Sequence, residues 1–365
     1  MIFVFVTYST SFNFNTPQGW IKRIEGYAGL LACLSNENSV VYIKQIDYEG
    51  EYVYKQVHYH FINFGKGKKY FPLRLNRYVK SLTPDVIFVQ GFHNPLQMIQ
   101  LRLLLDKKTK IIIQHHAEKP LTGIKKHIQR LAGQCANAYL FASKEIGMDW
   151  IQKGNLASPE KIHEVMEVSS IFYPIEKSKA KLKTGAAGDP VFLWVGRLND
   201  NKDPLNVVKS FLTYAYINPV AHLYMIYHTD ELLKEIKGIL KHHPHKDAIE
   251  LIGPVPHEDL LYWFNSADFF ISGSHYEGSG TAVCEAMSCG CIPIVTDISS
   301  FRMITDNGNC GILYEPGSEG ALLEAILQSE KIDKSEMQNK ALAHFEENLS
   351  FEAIGRRIGE IARSL

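Results

Sequence analysis

Short, nearly unbroken apolar runs alternate along the chain with stretches whose apolar residues recur at helical spacing. In the first half the runs are Ile2–Thr7, Ser39–Gln45, Val86–Val89, Lys110–Gln114 and Ala138–Ala142. In the second half they are Val191–Val195, His222–Tyr227, Ile249–Ile252, Phe269–Ser272 and Ile292–Thr296. A strand that is apolar throughout must be covered on both faces, so these runs predict parallel sheets with helices on either side. Ile21, Ile24, Ala28 and Leu31 mark one amphipathic helix, and Leu205, Val208, Phe211 and Leu212 another. Because the pattern occurs twice, the fold class is α/β, with two Rossmann-like doubly wound domains expected to face each other across a cleft. The first domain is expected over 1–175 and the second over 191–345. Glu176–Pro190, polar and Lys-rich without an apolar period, reads as the linker. A last helix over 346–365, with Ile354, Ile358, Ile361 and Ala362 at helical spacing, is expected to pack back on the first domain.

The length of 365 residues suits two domains, and 45% hydrophobic with 21% charged residues is ordinary globular composition. No run approaches a membrane span, and Met1–Val6 reads as a buried strand, not a signal peptide. Cys33, Cys135, Cys284, Cys289, Cys291 and Cys310 form no disulfide or metal-type spacing, so free thiols in a reducing cytoplasm are expected. The zero net charge hides an asymmetry. Residues 1–175 carry 21 Lys+Arg against 13 Asp+Glu, whereas 176–365 carry 18 against 26. The basic half suits an anionic partner, or the two halves attract each other. Gly65-Lys66-Gly67-Lys68-Lys69, running into Phe71, Leu73, Leu75, Tyr78 and Val79 with Arg74, Arg77 and Lys80 between them, could lie on an anionic membrane or be an ordinary helix with a solvated face. Lys119–Arg130 adds positive charge. His58-Tyr59-His60 and His242-His243 with His245 read as solvated surface or loop. No Asp-x-Asp motif or metal-ligand cluster stands out, no Gly-x-Gly-x-x-Gly follows the first strand, and nothing points to nucleic acid.

Two segments carry candidate chemistry. Glu277-Gly278-Ser279-Gly280-Thr281 follows a strand and opens a helix that contains Glu285 and leads to Ala286-Met287 and Gly290-Cys291-Ile292-Pro293. Backbone amides at such a helix start face a ligand, and the helix dipole favours an anion. Gly278 and Gly280 permit close backbone approach. Val195-Gly196-Arg197-Leu198 and Lys202 also follow a strand, where a guanidinium and an ammonium can converge on one phosphate.

Together these motifs resemble the retaining glycosyltransferases of the GT-B fold, family 4, the group 1 type. The resemblance covers essentially the whole second domain and is looser in the first. It implies that Arg197 and Lys202 hold a donor diphosphate, that Glu285 binds the ribose, and that Glu277 contacts the transferred sugar. It further implies that the amides from Gly278 to Thr281 meet phosphate and sugar, and that Gly253-Pro254-Val255 faces the nucleobase. Asp268 of Ala267-Asp268 is expected to be structural. In the first domain, Pro17-Gln18-Gly19-Trp20 resembles the family's segment bordering the donor phosphates, with Trp20 where the family has a second glycine. A histidine after Ile111-Ile112-Ile113-Gln114 would line the site; His115 and His116 compete, and His116 fits the following loop better.

The resemblance implies a metal-independent transfer of a hexose-type sugar from a nucleotide diphosphate sugar, with no cofactor, to a glycan or lipid-linked acceptor; the protein is expected in the cytoplasm, where the basic stretches could add peripheral contact at the inner face of the membrane. Surface polysaccharide or lipid-linked oligosaccharide synthesis is what it would usually imply. The catalytic set would be His116, Arg197, Lys202 and Glu277. The donor set would be Gly19, Gly196, Arg197, Lys202, Val255, Glu277, Gly278, Ser279, Gly280, Thr281 and Glu285. A sugar-nucleotide epimerase and a non-catalytic sugar-nucleotide-binding subunit are the competing readings.

Overall fold

The computed structural model describes residues 1–63 and 72–365. The segment 64–71, with Lys66, Lys68, Lys69 and Phe71, lies outside the described residues. The chain forms two compact units, Met1–Ser169 with Phe351–Leu365, and Ser170–Ser350.

Among the described residues the first unit holds an eight-stranded sheet: β1 (Ile2–Ser11), β2 (Ser39–Ile46), β3 (Gly50–Tyr54), β4 (Val57–Phe61), β5 (Val86–Gln90), β6 (Lys110–Gln114), β7 (Ala138–Phe141) and β8 (Ile162–Glu164). Their order is β3-β4-β2-β1-β5-β6-β7-β8, parallel except for the edge strand β3. Phe3–Val6, Ile87, Phe88, Ile111, Ile112 and Ala138–Phe141 are buried on both faces, as doubly covered parallel strands must be. Chain order reverses between β1 and β5, and such a switch point leaves a crevice at the carboxyl ends of the strands.

The second unit is a six-stranded parallel sheet: β9 (Val191–Gly196), β10 (His222–Tyr227), β11 (Ile249–Gly253), β12 (Phe269–Ser272), β13 (Ile292–Thr296) and β14 (Ile312–Tyr314), in the order β11-β10-β9-β12-β13-β14. Its switch point lies between β9 and β12. Phe192 stacks on Phe269 and meets Phe211 and Tyr214 edge-to-face in the core, which fixes β9 against the helix Pro204–Ala215.

Several details differ from the expectation. The segment read as a linker contains a helix, Lys177–Thr184, which buries Ala180 and ends at Gly185 in the left-handed region. Its only buried side chain is one methyl group, too little for an apolar period to announce it. Lys177 pairs with Asp268, whose other carboxylate oxygen accepts the Val191 N–H at 2.8 Å, a structural role. The contact boundary falls after Ser169 instead of at 175. His58-Tyr59-His60 is not loop but the middle of β4: Tyr59 is fully buried and His60 bonds the Tyr78 hydroxyl at 2.7 Å. Leu75 and Val79 point into the core, so much of the apolar face on Leu73–Ser81 is already covered.

The helix Phe351–Ser364 packs on Glu25–Ser35. Gly29 is needed there, because a Cβ would sit 2.6 Å from the Phe351 ring. All six cysteines are free. Among the described residues no helix is long and apolar enough to cross a membrane.

Candidate active site

The two motif segments of the second unit are the loops after β9 and β12, the strands that flank its switch point. Leu198 is fully buried and its N–H bonds Thr229 Oγ1 at 2.9 Å, which anchors the first loop and leaves Arg197, after Gly196, exposed. Asn199 Oδ1 accepts the Lys202 N–H at 3.1 Å, closing a single tight turn. Asp203, with φ 46°, then starts the next helix by accepting from the Asn206 N–H.

The second loop is laced to the first. The His275 N–H donates to the Asn201 carbonyl at 2.8 Å, and Asn201 Nδ2 donates to the Tyr276 carbonyl at 3.0 Å. His275 Nε2 lies 3.3 Å from Asp203 Oδ2, and Lys202 Nζ pairs with Glu277 Oε1. Gly273 makes the lacing possible: a Cβ there would meet the carbonyls of Lys202 and Asp203 at 3.1 and 3.3 Å.

The loop then turns into the helix Thr281–Ser288. Gly280 has φ 54°, and a Cβ on it would strike Ile304 at 2.7 Å, so a side chain is excluded on both counts. No side chain caps this helix start. Gly278 is buried, Ser279 half-buried and Thr281 exposed. Uncapped amides with a positive dipole end suit an anionic or hydroxyl ligand.

Glu285, one turn further on, has a different partner. Its Oε1 lies 2.9 Å from His257 Nε2, and the His257 ring lies 5.0 Å from Phe172. His257 stands two residues after the half-buried Val255, in the loop following β11. The two glutamates of the motif are thus sorted: Glu277 goes to the β9 loop and Glu285 to the β11 loop. Spacing alone did not reveal His257, because it pairs across 28 residues.

Gly19 and His116 belong to the first unit. The Gly19 N–H donates to Thr16 Oγ1 at 3.2 Å, so this amide is committed to capping the helix Pro17–Arg23. Trp20 is buried against Phe14, and the Lys44 ammonium sits 4.6 Å over its ring. Lys44 is 3% exposed and bonds Ser9 Oγ at 2.9 Å; burial pulls its ammonium down to about 8.

After β6, His115 and His116 take opposite environments. The His115 ring is stacked on Phe141 at 4.8 Å and edged by Trp150, and its Nε2 lies 3.0 Å from the Glu118 carbonyl. Burial lowers its pKa and keeps it neutral. His116 Nδ1 bonds Glu167. Burial opposes its charge, but the hydrogen bond and charge of Glu167, with the charge of Glu118, outweigh that and raise its pKa above the ordinary 6.5. Glu118 and Glu167 carry no motif; only the fold shows that they serve the histidine.

Residues 176–344 match the family described as glycosyl transferases group 1. The chain is similar to the O-antigen chain mannosyltransferase B of Escherichia coli, 37% identical over 22% of this chain and 21% of the relative. It is also similar to the GDP-mannose:cellobiosyl-diphosphopolyprenol alpha-mannosyltransferase of Xanthomonas oryzae pv. oryzae, 31% identical over 28% of this chain and 24% of the relative. These matches span only about a fifth to a quarter of the curated relatives' own length. Among solved structures, a glycosyltransferase from Rickettsia africae aligns over 100% of this chain and 97% of its own with a TM-score of 0.77 and 15% identity. HepE of Anabaena in complex with UDP aligns over 100% of both chains, with a TM-score of 0.74 and 15% identity. At such identity the likeness is one of fold, the two-unit α/β fold of the GT-B glycosyltransferases.

Proposed function

We propose that this chain, whose residues 176–344 match the glycosyl transferases group 1, moves a hexose-type sugar from a nucleotide diphosphate sugar to a glycan or lipid-linked acceptor, with retention at the anomeric carbon, in surface polysaccharide synthesis. The observation that carries this reading is the lacing of the β9 and β12 loops at the switch point. It gathers Lys202, Glu277 and an uncapped helix start on one edge, with Arg197 in the same pair of loops.

In the reaction the acceptor hydroxyl forms the new bond to the anomeric carbon while the bond to the diphosphate breaks. The hydroxyl proton leaves with the departing phosphate oxygen. Arg197 and Lys202 stabilise the charge that accumulates on the diphosphate, and the amides around Gly278–Thr281 add to it. Lys202 releases Glu277 as it turns to the phosphate, and Glu277 takes a sugar hydroxyl. Glu285 holds the ribose, with the Val255 segment beside the base. These cations do the work without a metal, so turnover is expected to survive EDTA. The protein acts at the inner face of a membrane, where a lipid-linked acceptor is reached.

GDP-mannose is the first donor to test, because the relatives' names include it. Incubation with GDP-mannose and UDP-sugars, with a diphospholipid-linked sugar as acceptor, should release one nucleoside diphosphate and an α-linked product by NMR. No release from any donor, or loss of activity in EDTA with recovery in manganese, counts against the reading.

A further inference from the structure

The turn after β6 is closed by two carboxylates that lie outside the group 1 motifs. The His116 N–H donates to Glu118 Oε2 at 2.6 Å, and the other oxygen of Glu118 accepts the Phe92 N–H from the loop after β5. Ala117 takes φ 62° between them, an unfavourable conformation for a residue with a Cβ, held because the turn is pinned at both ends. The ring is fixed separately. Nδ1 bonds Glu167, three residues beyond β8 and 51 residues along the chain. Nε2 is buried and has no hydrogen-bond partner among the described residues. A buried polar atom left unpaired is costly, and it marks a place where a ligand atom restores the bond.

We propose that Glu167 is a positioning residue for His116: by holding Nδ1 it sets the ring orientation and leaves the buried Nε2 to bond a ligand atom. This rests on the reading that the protein transfers sugar. The same logic operates wherever a carboxylate fixes one imidazole nitrogen so that the other can work. Burial opposes the imidazolium, Glu118 and Glu167 both favour it, and Tyr27, near Glu167, is held neutral by burial.

The test uses the full chain labelled with 15N-histidine, with His116→Gln to assign the resonance and with Glu167→Gln and Glu167→Asp. Glu167→Gln should move the Nδ1 signal and make His116 lose its proton at lower pH, while Glu167→Asp keeps most of the wild-type signal. Turnover of the sugar nucleotide should fall about tenfold or more in Glu167→Gln, with nucleoside diphosphate affinity retained, and recover in part in Glu167→Asp. An unmoved Nδ1 signal overturns the proposal, and so does a moved signal with full turnover. If the wild-type protein transfers no sugar, the functional reading falls with it, and the nitrogen spectrum alone then decides whether Glu167 holds His116.

Discussion

The carboxyl edges of the two sheets are built by different means. In the second unit the loops are laced by pairs in which one partner is partly exposed: Lys202 with Glu277, His275 with Asp203, and His257 with the buried Glu285. In the first unit the loops are pinned by the half-buried Glu118, which bridges two strands' ends, and by two buried groups, His115 in an aromatic stack and Lys44 bonded to Ser9 over Trp20. Half-exposed ion pairs contribute little to stability, about 0–1 kcal/mol, so they are easily exchanged for a charged ligand. Buried polar groups lose more when a partner is removed, about 1–3 kcal/mol each. The second unit's edge is therefore suited to trading partners and the first unit's edge to holding still.

The sharpest way to break that contrast is Arg197→Ala. Its side chain is exposed, so the melting temperature should stay within about 2 °C of wild type. Turnover should fall by about 10²–10³ if it stabilises the leaving diphosphate. A large loss of stability instead would mean that the second edge is structural after all. Next, Glu118→Ala should cost about 2 kcal/mol in urea unfolding, since the Phe92 and His116 amides lose their acceptor. Glu285→Ala should abolish the thermal shift caused by the bound nucleoside diphosphate. A full thermal shift retained in Glu285→Ala would erase the distinction.

Lys44 sharpens the contrast further. Its pKa is lowered to about 8 from 10.5, so between those values the unfolded chain binds a proton that the folded chain has released. Wild-type stability should therefore rise from pH 8 to 10.5 relative to Lys44→Met, and below pH 8 the methionine variant should match or exceed wild type. The smallest effect concerns His116. Its raised pKa makes its contribution complete below pH 6.5 and lost as pH rises through the folded value. Glu167→Gln should flatten that part of the stability profile, while the opposing slope from His115 persists.

Much of this was legible in the chain because the relevant signals are local. The ten predicted strand runs each coincide with a strand of the two sheets, Ala142 alone lying one residue past β7, since a doubly covered strand has no polar face to interrupt it. Gly196-Arg197-Leu198 with Lys202, and Glu277 to Glu285, are contiguous segments that each follow one strand. The hairpin joining β3 to β4 was not legible. Its turn places Lys55 and Gln56 at φ 47° and 63°, without the Asn-Gly that usually marks such a turn.

The sequence by itself determined that the chain forms two parallel α/β units, and which loops follow which strands, because periodicity and glycine placement act within a few residues. Only the tertiary structure decided which side chains those loops hold in place. Glu285 meets His257 across 28 residues and His116 meets Glu167 across 51. Parallel strands are joined by long crossovers, so groups that share a sheet edge are far apart in the chain, and no local pattern records their pairing.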